Sequence, residues 1–309
     1  MLKEKIAVLL SAFNGAEYLR TQIDSILEQK TDCEVLLVIR DDGSTDKTVE
    51  IIEQEYARPN VRLIKGNNVG FVESFMNLLR YAEAELGDYN YFSLADQDDR
   101  WDSNKLQVAV EAIRKDGRKS PLLYACLSRL TDDDLIPLKT IDRSGRIINF
   151  YNSIIQNFLP GHTYVMNRSL LSVVYNCNPH EIYAHDQLIL NVAVLYHGLL
   201  YDETPHADYR QHKRNQLGAS NRFYGWFLKG INRIGRGDNL IYTRQIQYIY
   251  KHFKNLLTEE ESNEMHRFFL SRKSFLSRIK YTLNTKLYRQ KKKETMIFKV
   301  FYVFGGYND

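Results

Sequence analysis

Alternation of apolar runs with amphipathic helices is the feature that most constrains the fold. Near-continuous apolar runs occupy residues 6–13, 34–39 and 61–64, and a fourth begins at Tyr91. Each of the first three precedes a stretch whose apolar residues recur with helical spacing, such as Leu19, Ile23 and Ile26. Apolar runs of this length are typical of strands buried on both faces of a parallel sheet. The pattern predicts an α/β fold, a mostly parallel sheet flanked by helices.

Polar clusters follow three of these predicted strands, at residues 11–14, 41–46 and 96–99. In open α/β sheets, ligands bind outside the carboxyl ends of the strands. We therefore expect the three clusters to line one site.

Three carboxylates, Asp96, Asp98 and Asp99, end the fourth apolar run. Carboxylates this close repel one another unless a cation lies among them or their pKa values rise. Mg²⁺ and Mn²⁺ prefer such oxygen ligands and are commonly shared with substrate phosphates. The alternative is an acidic turn that caps the next helix, with Asp102 or Ser103 as its N-cap.

The segment Asp41-Asp42-Gly43 follows the second predicted strand. Taken alone it is more typical of a turn, but its place at the ligand-binding edge favours a binding role. The carboxylate of Asp42 offers an acceptor for the N3–H of a pyrimidine base.

Charge is distributed unevenly along the 309 residues. Residues 221–309 hold 18 Lys and Arg against 7 Asp and Glu, a net +11, which leaves −7 for residues 1–220. We expect a catalytic domain over 1–220 and a basic helical region over 221–309. Phe223, Phe227, Ile231 and Ile234 share one helical face there. Such helices favour contact with a membrane or a partner, and the alternative is a helical appendage packed on the body or on a second subunit.

Cysteine usage and hydropathy indicate the compartment. The three cysteines are widely spaced and form no CxxC pair, which is typical of a reducing cytosol. The first apolar run is interrupted early by Ser11 and Asn14, so we interpret it as a strand and not as a signal peptide. A spanning helix is not expected, because the chain has no uninterrupted apolar stretch long enough.

Three motifs, AFNGAEYLxxQIxSIxxQ, IRDDGSTDKT and SLADQDDRWxxNKL, resemble in this order the inverting family 2 glycosyltransferases of the GT-A fold. With the later HDQ and YRQH, the chain is most similar to bacterial rhamnosyltransferases of cell-wall and capsular polysaccharide synthesis. The resemblance covers about the first two-thirds of the chain. It implies that the nucleotide and a divalent metal bind at these motifs. The nucleotide residues implied are Ser11, Phe13, Asp41, Asp42 and Asp96, and the metal ligands implied are Asp98 and Asp99, with Asp96 beside them.

The resemblance also assigns residues in the second half of the chain. Asp186, at a predicted helix start, occupies the position of the family's catalytic base, while the simpler interpretation is a helix cap. Glu181 is the next carboxylate to consider. Arg210, His212 and Lys213 are expected to fold over the diphosphate, although the family usually has Gly at the position of Lys213. The alternative there is a solvated basic loop.

For Gly161, His162 and Gly198 we consider structural explanations. Gly161 would allow close backbone approach or a turn after Pro160. His162 falls in residues 157–171, which resemble a segment of the family's donor and acceptor sites, but it is expected at the surface. The apolar helix that follows Asp186 is expected to end with Gly198 as its C-cap.

The sequence thus predicts an inverting, Mn²⁺- or Mg²⁺-dependent glycosyltransferase at the inner face of a bacterial membrane, with its oligomeric state left open. Its expected donor is dTDP-L-rhamnose and its expected acceptor a lipid-linked oligosaccharide or a glycan. A UDP-hexose or UDP-N-acetylhexosamine donor is the nearest alternative. A nucleotidyltransferase would need a Gly-rich loop with Lys or Arg after the first strand, and SAFNGAEYL has none. A nucleic-acid binder is disfavoured because the tail's aromatic residues line an amphipathic face.

Overall fold

A computed structural model of the chain describes residues 3–138, 145–212 and 239–307, with the side chains of 239–242 left out. The strands are β1 Lys5–Ala12, β2 Glu34–Asp41, β3 Val61–Lys65, β4 Tyr91–Ala95, β5 Arg100–Trp101, β6 Leu123–Thr131, β7 Tyr164–Asn167 and β8 Leu199–Arg210. The helices are α1 Leu19–Leu27, α2 Thr48–Glu55, α3 Phe71–Glu85, α4 Lys105–Asp116, α5 Phe150–Ser153, α6 Arg168–Val174, α7 His185–Leu195, α8 Asn239–His252, α9 Glu259–Ser271, α10 Phe275–Asn284 and α11 Lys292–Val303.

The eight strands form one mixed sheet in the order β3-β2-β1-β4-β7-β6-β8-β5. The pairs among β1 to β4 are parallel, and so is the pair of β6 and β8. Strand β7 is antiparallel to both of its neighbours, and the short β5 is antiparallel to β8. The predicted α/β fold with a mostly parallel sheet is confirmed.

Both faces of the sheet are buried, as the apolar runs predict. Along β1, Ala7 and Leu9 point into one hydrophobic cluster, whereas Ile6, Val8 and Leu10 point into the other. Side chains alternate along a strand, so a run that is apolar throughout supplies both faces. One cluster packs against α1, α2 and α4, and the other against α3, α6 and α7.

The C-terminal helices contribute to the second of these clusters. Ile246 of α8, Phe268 of α9, and Phe298 and Tyr302 of α11 are buried there together with residues of β1 and β4. The hydroxyl of Tyr288 accepts hydrogen bonds from the side chains of Asn149 and Asn152, which tie the segment before α11 to α5. The predicted boundary between residues 220 and 221 and the amphipathic stretch 223–234 lie outside the described residues.

Two helix ends differ from the predictions. Helix α4 begins at Lys105 after Asn104, while Asp102 accepts a hydrogen bond from Arg129 instead of acting as the N-cap. Helix α7 ends before His197, whose φ of 53° supplies the left-handed turn that was expected at Gly198. Gly198 is required for another reason: a Cβ there would lie 1.9 Å from the carbonyl oxygen of Pro121.

None of the helices in the described ranges combines the length and apolar character needed to cross a bilayer.

The packing of α11 leads to a prediction about stability. Phe298→Ala should lower the free energy of unfolding by about 3–5 kcal/mol, because it leaves a cavity under α11. The matched variant Met296→Ala, two residues away and 67% exposed, should change it by less than about 0.5 kcal/mol. Urea unfolding measures both, and equal midpoints for the two variants would contradict a shared core.

Candidate active site

A cleft of about 990 Å³ opens at the carboxyl ends of β1, β2 and β4. All three polar clusters expected to share a site contribute residues to it, which confirms that expectation. The opposite wall comes from residues 156–162 and from His185 and Asp186, and Lys291 and Glu294 close one end.

Asp42 lies at the end of the cleft formed by β1 and β2 and is 2% exposed. Its carboxylate accepts hydrogen bonds from Arg40 and from the backbone N–H groups of Val69, at 3.0 Å, and Gly70, at 2.9 Å. Arg40 in turn donates to Ser74, which shares a 2.6 Å hydrogen bond with Ser11. Asp42 therefore holds the loop before α3 as well as facing the cleft.

Asp41 has a different environment from Asp42, although both are buried. One of its carboxylate oxygens accepts hydrogen bonds from the N–H groups of Gly43 and Ser44, at 3.1 and 3.0 Å. These bonds stabilise the turn at Gly43, whose φ of 78° favours glycine. Asp41 is not among the residues that line the cleft.

Gln97 joins the ends of β1 and β4 and was not predicted as a site residue. Its side-chain oxygen accepts a 2.8 Å hydrogen bond from the N–H of Phe13, and its nitrogen donates to the carbonyl of Phe13 at 3.1 Å. A Cβ at Gly15 would lie 2.2 Å from the Gln97 oxygen. This contact fixes the backbone of Phe13, whose side chain lines the cleft.

The three carboxylates after β4 have three different environments. Asp96 reaches the cleft with 42% of its side chain exposed. Asp98 is paired with His212, with 2.7 Å between Oδ2 and Nε2. Asp99 is 0% exposed, and its Oδ1 accepts a 3.3 Å hydrogen bond from the N–H of Arg210. Only Asp96 and Asp98 of the three line the cleft.

His162 lies between two of these carboxylates, with its Nδ1 3.4 Å from Oδ2 of Asp99 and 3.6 Å from Oδ2 of Asp96. It is 1% exposed and packs on the ring of Tyr209 at 4.9 Å, so its expected surface position is wrong. Among the described residues, Oδ2 of Asp99 and both ring nitrogens of His162 are buried without a hydrogen-bond partner.

These atoms fit a divalent cation. Asp96, Asp99 and His162 each offer one ligand atom, and all three atoms lie within 4.8 Å of one another. Two carboxylate oxygens and an imidazole nitrogen are donors that Mn²⁺ and Mg²⁺ sites can use, and an ion there would satisfy Oδ2 of Asp99 and one ring nitrogen of His162. Sequence reasoning missed His162 because it comes more than sixty positions after the acidic motif.

Titration of the cluster reflects its burial and crowding. Burial raises the pKa of Asp99 well above its usual value, and the charges of Asp98 and Asp96 raise it further, while His162 opposes them. Burial and Asp96 likewise raise the pKa of Asp98, against the hydrogen bond from His212. For His162, burial lowers the pKa but the nearby Asp99 and Asp96 carboxylates outweigh it and raise the pKa.

Lys105, at the start of α4, is completely buried beneath this cluster. Its ammonium lies 3.4 Å from the centroid of the Trp101 ring and donates a 3.3 Å hydrogen bond to Ser93 of β4. Burial lowers its pKa to about 8, although the charges of Cys126 and Asp99 act in the opposite direction. The positive charge of the Lys105 ammonium can thus offset negative charge on Asp99.

Asp186 lies on the opposite wall, in the first turn of α7. Its Oδ2 accepts hydrogen bonds from the side chain of Asn157 at 2.6 Å and from the N–H of Gly161 at 3.3 Å, and its Oδ1 accepts one from the N–H of Gln187 at 2.7 Å. A Cβ at Gly161 would lie 3.0 Å from the Cβ of Asp186, so Gly161 serves close approach to this aspartate. His185, stacked on Phe75 at 4.0 Å, supports the start of the helix.

Of the remaining predicted residues that the structure describes, one lines the cleft and two do not. His212 lines it and stacks on Tyr18 at 4.5 Å. Arg210 instead donates a 2.9 Å hydrogen bond to the carbonyl of Asp98 and packs over the Tyr18 ring, and it does not line the cleft. Glu181, in the short turn Pro179–Glu181, does not line it either. Lys213 lies outside the described residues.

Sequence comparison defines the class of protein. The chain belongs to glycosyltransferase family 2, since the model described as Glycosyl transferase family 2 matches residues 7–171. The protein is therefore a glycosyltransferase.

Among curated relatives, the chain is 26% identical over 255 residues to the dTDP-rhamnosyl transferase RfbG of Shigella flexneri, covering 78% of this chain and 83% of that protein. It is also 30% identical over 150 residues to the chondroitin synthase of Escherichia coli, covering 48% of this chain but 19% of the synthase. The chain is thus similar to the first of these over most of both lengths.

Among solved structures, TarS 1–349 of S. aureus in complex with UDP-GlcNAc is similar, with a TM-score of 0.55 and 14% identity. The likeness covers 98% of this chain and 89% of that one. At this identity it shows the fold alone, and it confirms the predicted GT-A sheet with its C-terminal helices.

Burial of Lys105 leads to a prediction about pH. A lysine whose folded pKa is lowered from 10.5 to about 8 makes the folded state release its proton before the unfolded state does. The free energy of unfolding of the wild type should therefore rise relative to Lys105→Met as the pH rises above 8, by up to about 1.4 kcal/mol per pH unit. Urea midpoints of both proteins at pH 7.5 and 9.5 measure this difference, and a difference that stays constant with pH would contradict a depressed Lys105 pKa.

Proposed function

We propose that the protein is an inverting, divalent-metal-dependent glycosyltransferase that moves L-rhamnose from dTDP-L-rhamnose to a lipid-linked or polysaccharide acceptor. The observation that carries this proposal is one cleft with three components: the Asp42 and Ser11 end, the acidic cluster around His162, and Asp186 on the opposite wall. One cleft thus offers groups for the nucleotide, for the metal and for the acceptor hydroxyl of the same reaction.

The donor is chosen from the relatives. RfbG is named as a dTDP-rhamnosyl transferase and is similar over most of this chain, which supports dTDP-L-rhamnose. The TarS complex contains UDP-GlcNAc, which keeps a UDP-N-acetylhexosamine or UDP-hexose as the second candidate. In either case Asp42, Ser11 and Phe13, with Asp41 behind them, form the end for the base, and Asp96 approaches the ribose.

The metal is assigned to the carboxylate cluster. Asp96, Asp99 and His162 would hold it, as their adjacent ligand atoms and the unpartnered atoms of Asp99 and His162 support. Asp98, the ligand that the family resemblance implies, would join them on leaving His212. When bound, Mn²⁺ or Mg²⁺ neutralises charge on the nucleoside diphosphate as it leaves. Arg210, His212 and Lys213 are assigned to the same diphosphate, with Arg210 acting from behind Asp98.

Asp186 is proposed as the general base. An acceptor hydroxyl is a poor nucleophile until it loses its proton, and a carboxylate on the wall opposite the leaving group can take that proton. Hydrogen bonds from Asn157, Gly161 and Gln187 fix the direction of the Asp186 carboxylate. Action at the inner face of the cell membrane is proposed from the basic C-terminal region and the lipid-linked acceptor.

A nucleotidyltransferase remains the candidate of another class. The segment after β1 supports it poorly, because it offers the side chains of Phe13 and Asn14 and a contact from Gln97 where a phosphate loop would offer Lys or Arg.

A donor panel tests the substrate and the metal together. With Mn²⁺ present, the purified protein should hydrolyse or transfer from dTDP-L-rhamnose faster than from UDP-GlcNAc or dTDP-glucose, and excess EDTA should abolish turnover. Asp98→Asn should lower the rate by at least about 10²-fold, because it removes a charge that holds the metal. The exposed Asp134→Asn is the matched control and should retain the rate. Full turnover in EDTA would refute metal dependence, and preference for a UDP-sugar would transfer the proposal to that donor.

Asp186→Asn tests the base. The amide keeps the shape of the side chain and one acceptor for the Gln187 N–H, so folding and donor affinity should persist while transfer falls by about 10²–10⁴-fold. Glu181→Gln, a carboxylate away from the cleft, is the control and should retain transfer. Near wild-type transfer by Asp186→Asn, or a parallel loss of donor affinity, would remove Asp186 from this role. Loss of transfer in Glu181→Gln instead would assign the role to Glu181.

A further inference from the structure

Helices α10 and α11 present large apolar side chains to solvent. Six of these side chains are between 44% and 77% exposed: Phe275, Leu276, Leu283, Met296, Val300 and Phe304. Together they form what we call the α10/α11 face. Met296, Val300 and Phe304 are four residues apart and form one stripe, and the Phe275 and Phe304 rings lie 6.3 Å apart, which joins the two helices into one surface.

These side chains are not needed for the core. The opposite side of α11 already buries Ile297, Phe298 and Tyr302, and α10 buries Tyr281. A helix that is apolar on its inner side and again on an outer stripe exposes more apolar surface than folding requires. Contiguous exposed apolar patches of this kind mark interaction surfaces.

The segment that carries the α10/α11 face is rich in basic residues. Residues 272–307 contain ten Lys and Arg and a single acidic residue, Glu294. Lys280 falls between Leu276 and Leu283 on α10, and Lys292 lies one turn before Met296 on α11. Glu294 is turned toward the cleft, where it pairs with Arg289 and accepts a hydrogen bond from Gln156.

We propose that the α10/α11 face binds the surface of an anionic lipid bilayer, with its apolar side chains inserted at the interface and its lysines at the phosphate headgroups. Apolar stripes flanked by lysine are the pattern of helices that lie in such an interface. A second copy of the chain fits less well, because two faces with this excess of positive charge repel each other.

The position of the α10/α11 face relative to the cleft suits an enzyme with a lipid-linked acceptor; this step rests on the proposed function. Lys291 and Glu294 line the cleft, and Met296 follows two residues later on the other side of the same helix, so α11 carries the cleft on one side and the α10/α11 face on the other. Gln156 bonds Glu294, and its neighbour Asn157 bonds Asp186. A bilayer at the α10/α11 face would therefore be separated from the Asp186 wall of the cleft by the width of α11, within reach of a lipid-linked acceptor that extends around the start of that helix.

Vesicle sedimentation with the full chain tests the proposal. The protein should bind vesicles of phosphatidylcholine with phosphatidylglycerol, bind phosphatidylcholine alone far less, and dissociate at high salt. The triple variant Leu276→Ser, Val300→Ser, Phe304→Ser should lose roughly tenfold or more in binding. Ile136→Ser, at an exposed isoleucine on the turn after β6, is the matched control and should bind as the wild type does.

A second variant keeps the test decisive if the triple variant unfolds. Lys280→Glu with Lys292→Glu changes only exposed positions and should weaken binding to anionic vesicles while leaving thermal unfolding unchanged. Wild-type binding by this variant, or by a folded triple variant, would overturn the proposal. A wild-type dimer that either variant converts to a monomer would do so too, since the face would then join two copies.

Binding is measured without a sugar nucleotide, so it is independent of turnover. Donor hydrolysis in the absence of vesicles should be equal in the wild type and the triple variant. Vesicle binding without activity on any sugar nucleotide would contradict the proposed function and leave the α10/α11 face supported. Activity on a sugar nucleotide without vesicle binding would support the proposed function and contradict the role of the α10/α11 face.

Discussion

The concentration of negative charge at the end of β4 is the constraint on which the site depends. Asp96, Asp98 and Asp99 fall within four residues, and Asp99 is fully buried. The fold compensates from several directions: His212 pairs with Asp98, His162 faces the other two, and Lys105 lies beneath. Because these partners come from distant parts of the chain, the acidic turn holds the termini of β4, β7 and β8 in one place.

The direction of β7 explains how His162 reaches that turn. In the register of the β4 and β7 pair, Ser93 lies opposite Val165 and Tyr91 opposite Asn167, so the amino end of β7 meets the carboxyl end of β4. The residues just before β7 therefore lie at the same edge of the sheet as the residues just after the parallel strands β1, β2 and β4. Gly161, His162 and the contact to Asp186 all depend on this reversal.

That reversal also marks the limit of what the sequence predicts. The apolar runs of β1 to β4 and the polar clusters after them indicate an α/β sheet and a shared ligand edge, because strand length, burial and polarity are local properties. The direction of β7 is set by pairing across the sheet, so the surface position expected for His162 was wrong. Helix ends failed for a similar reason: Asp102 bonds Arg129 from β6, and His197 takes the turn because Gly198 must pass close to Pro121.

The C-terminal helices are joined to the wall of the cleft that carries Asp186 as well as to the core. Asp186 is held by Asn157, the preceding Gln156 is held by Glu294, and the N–H of Gln290 donates back to Gln156 at 2.9 Å. Each link is a hydrogen bond between the wall of the cleft and the chain around the start of α11. A displacement of α11 would thus act on the segment that orients Asp186. The C-terminal helices therefore support the wall of the cleft that carries Asp186, and their removal would change the cleft together with any surface that the helices offer.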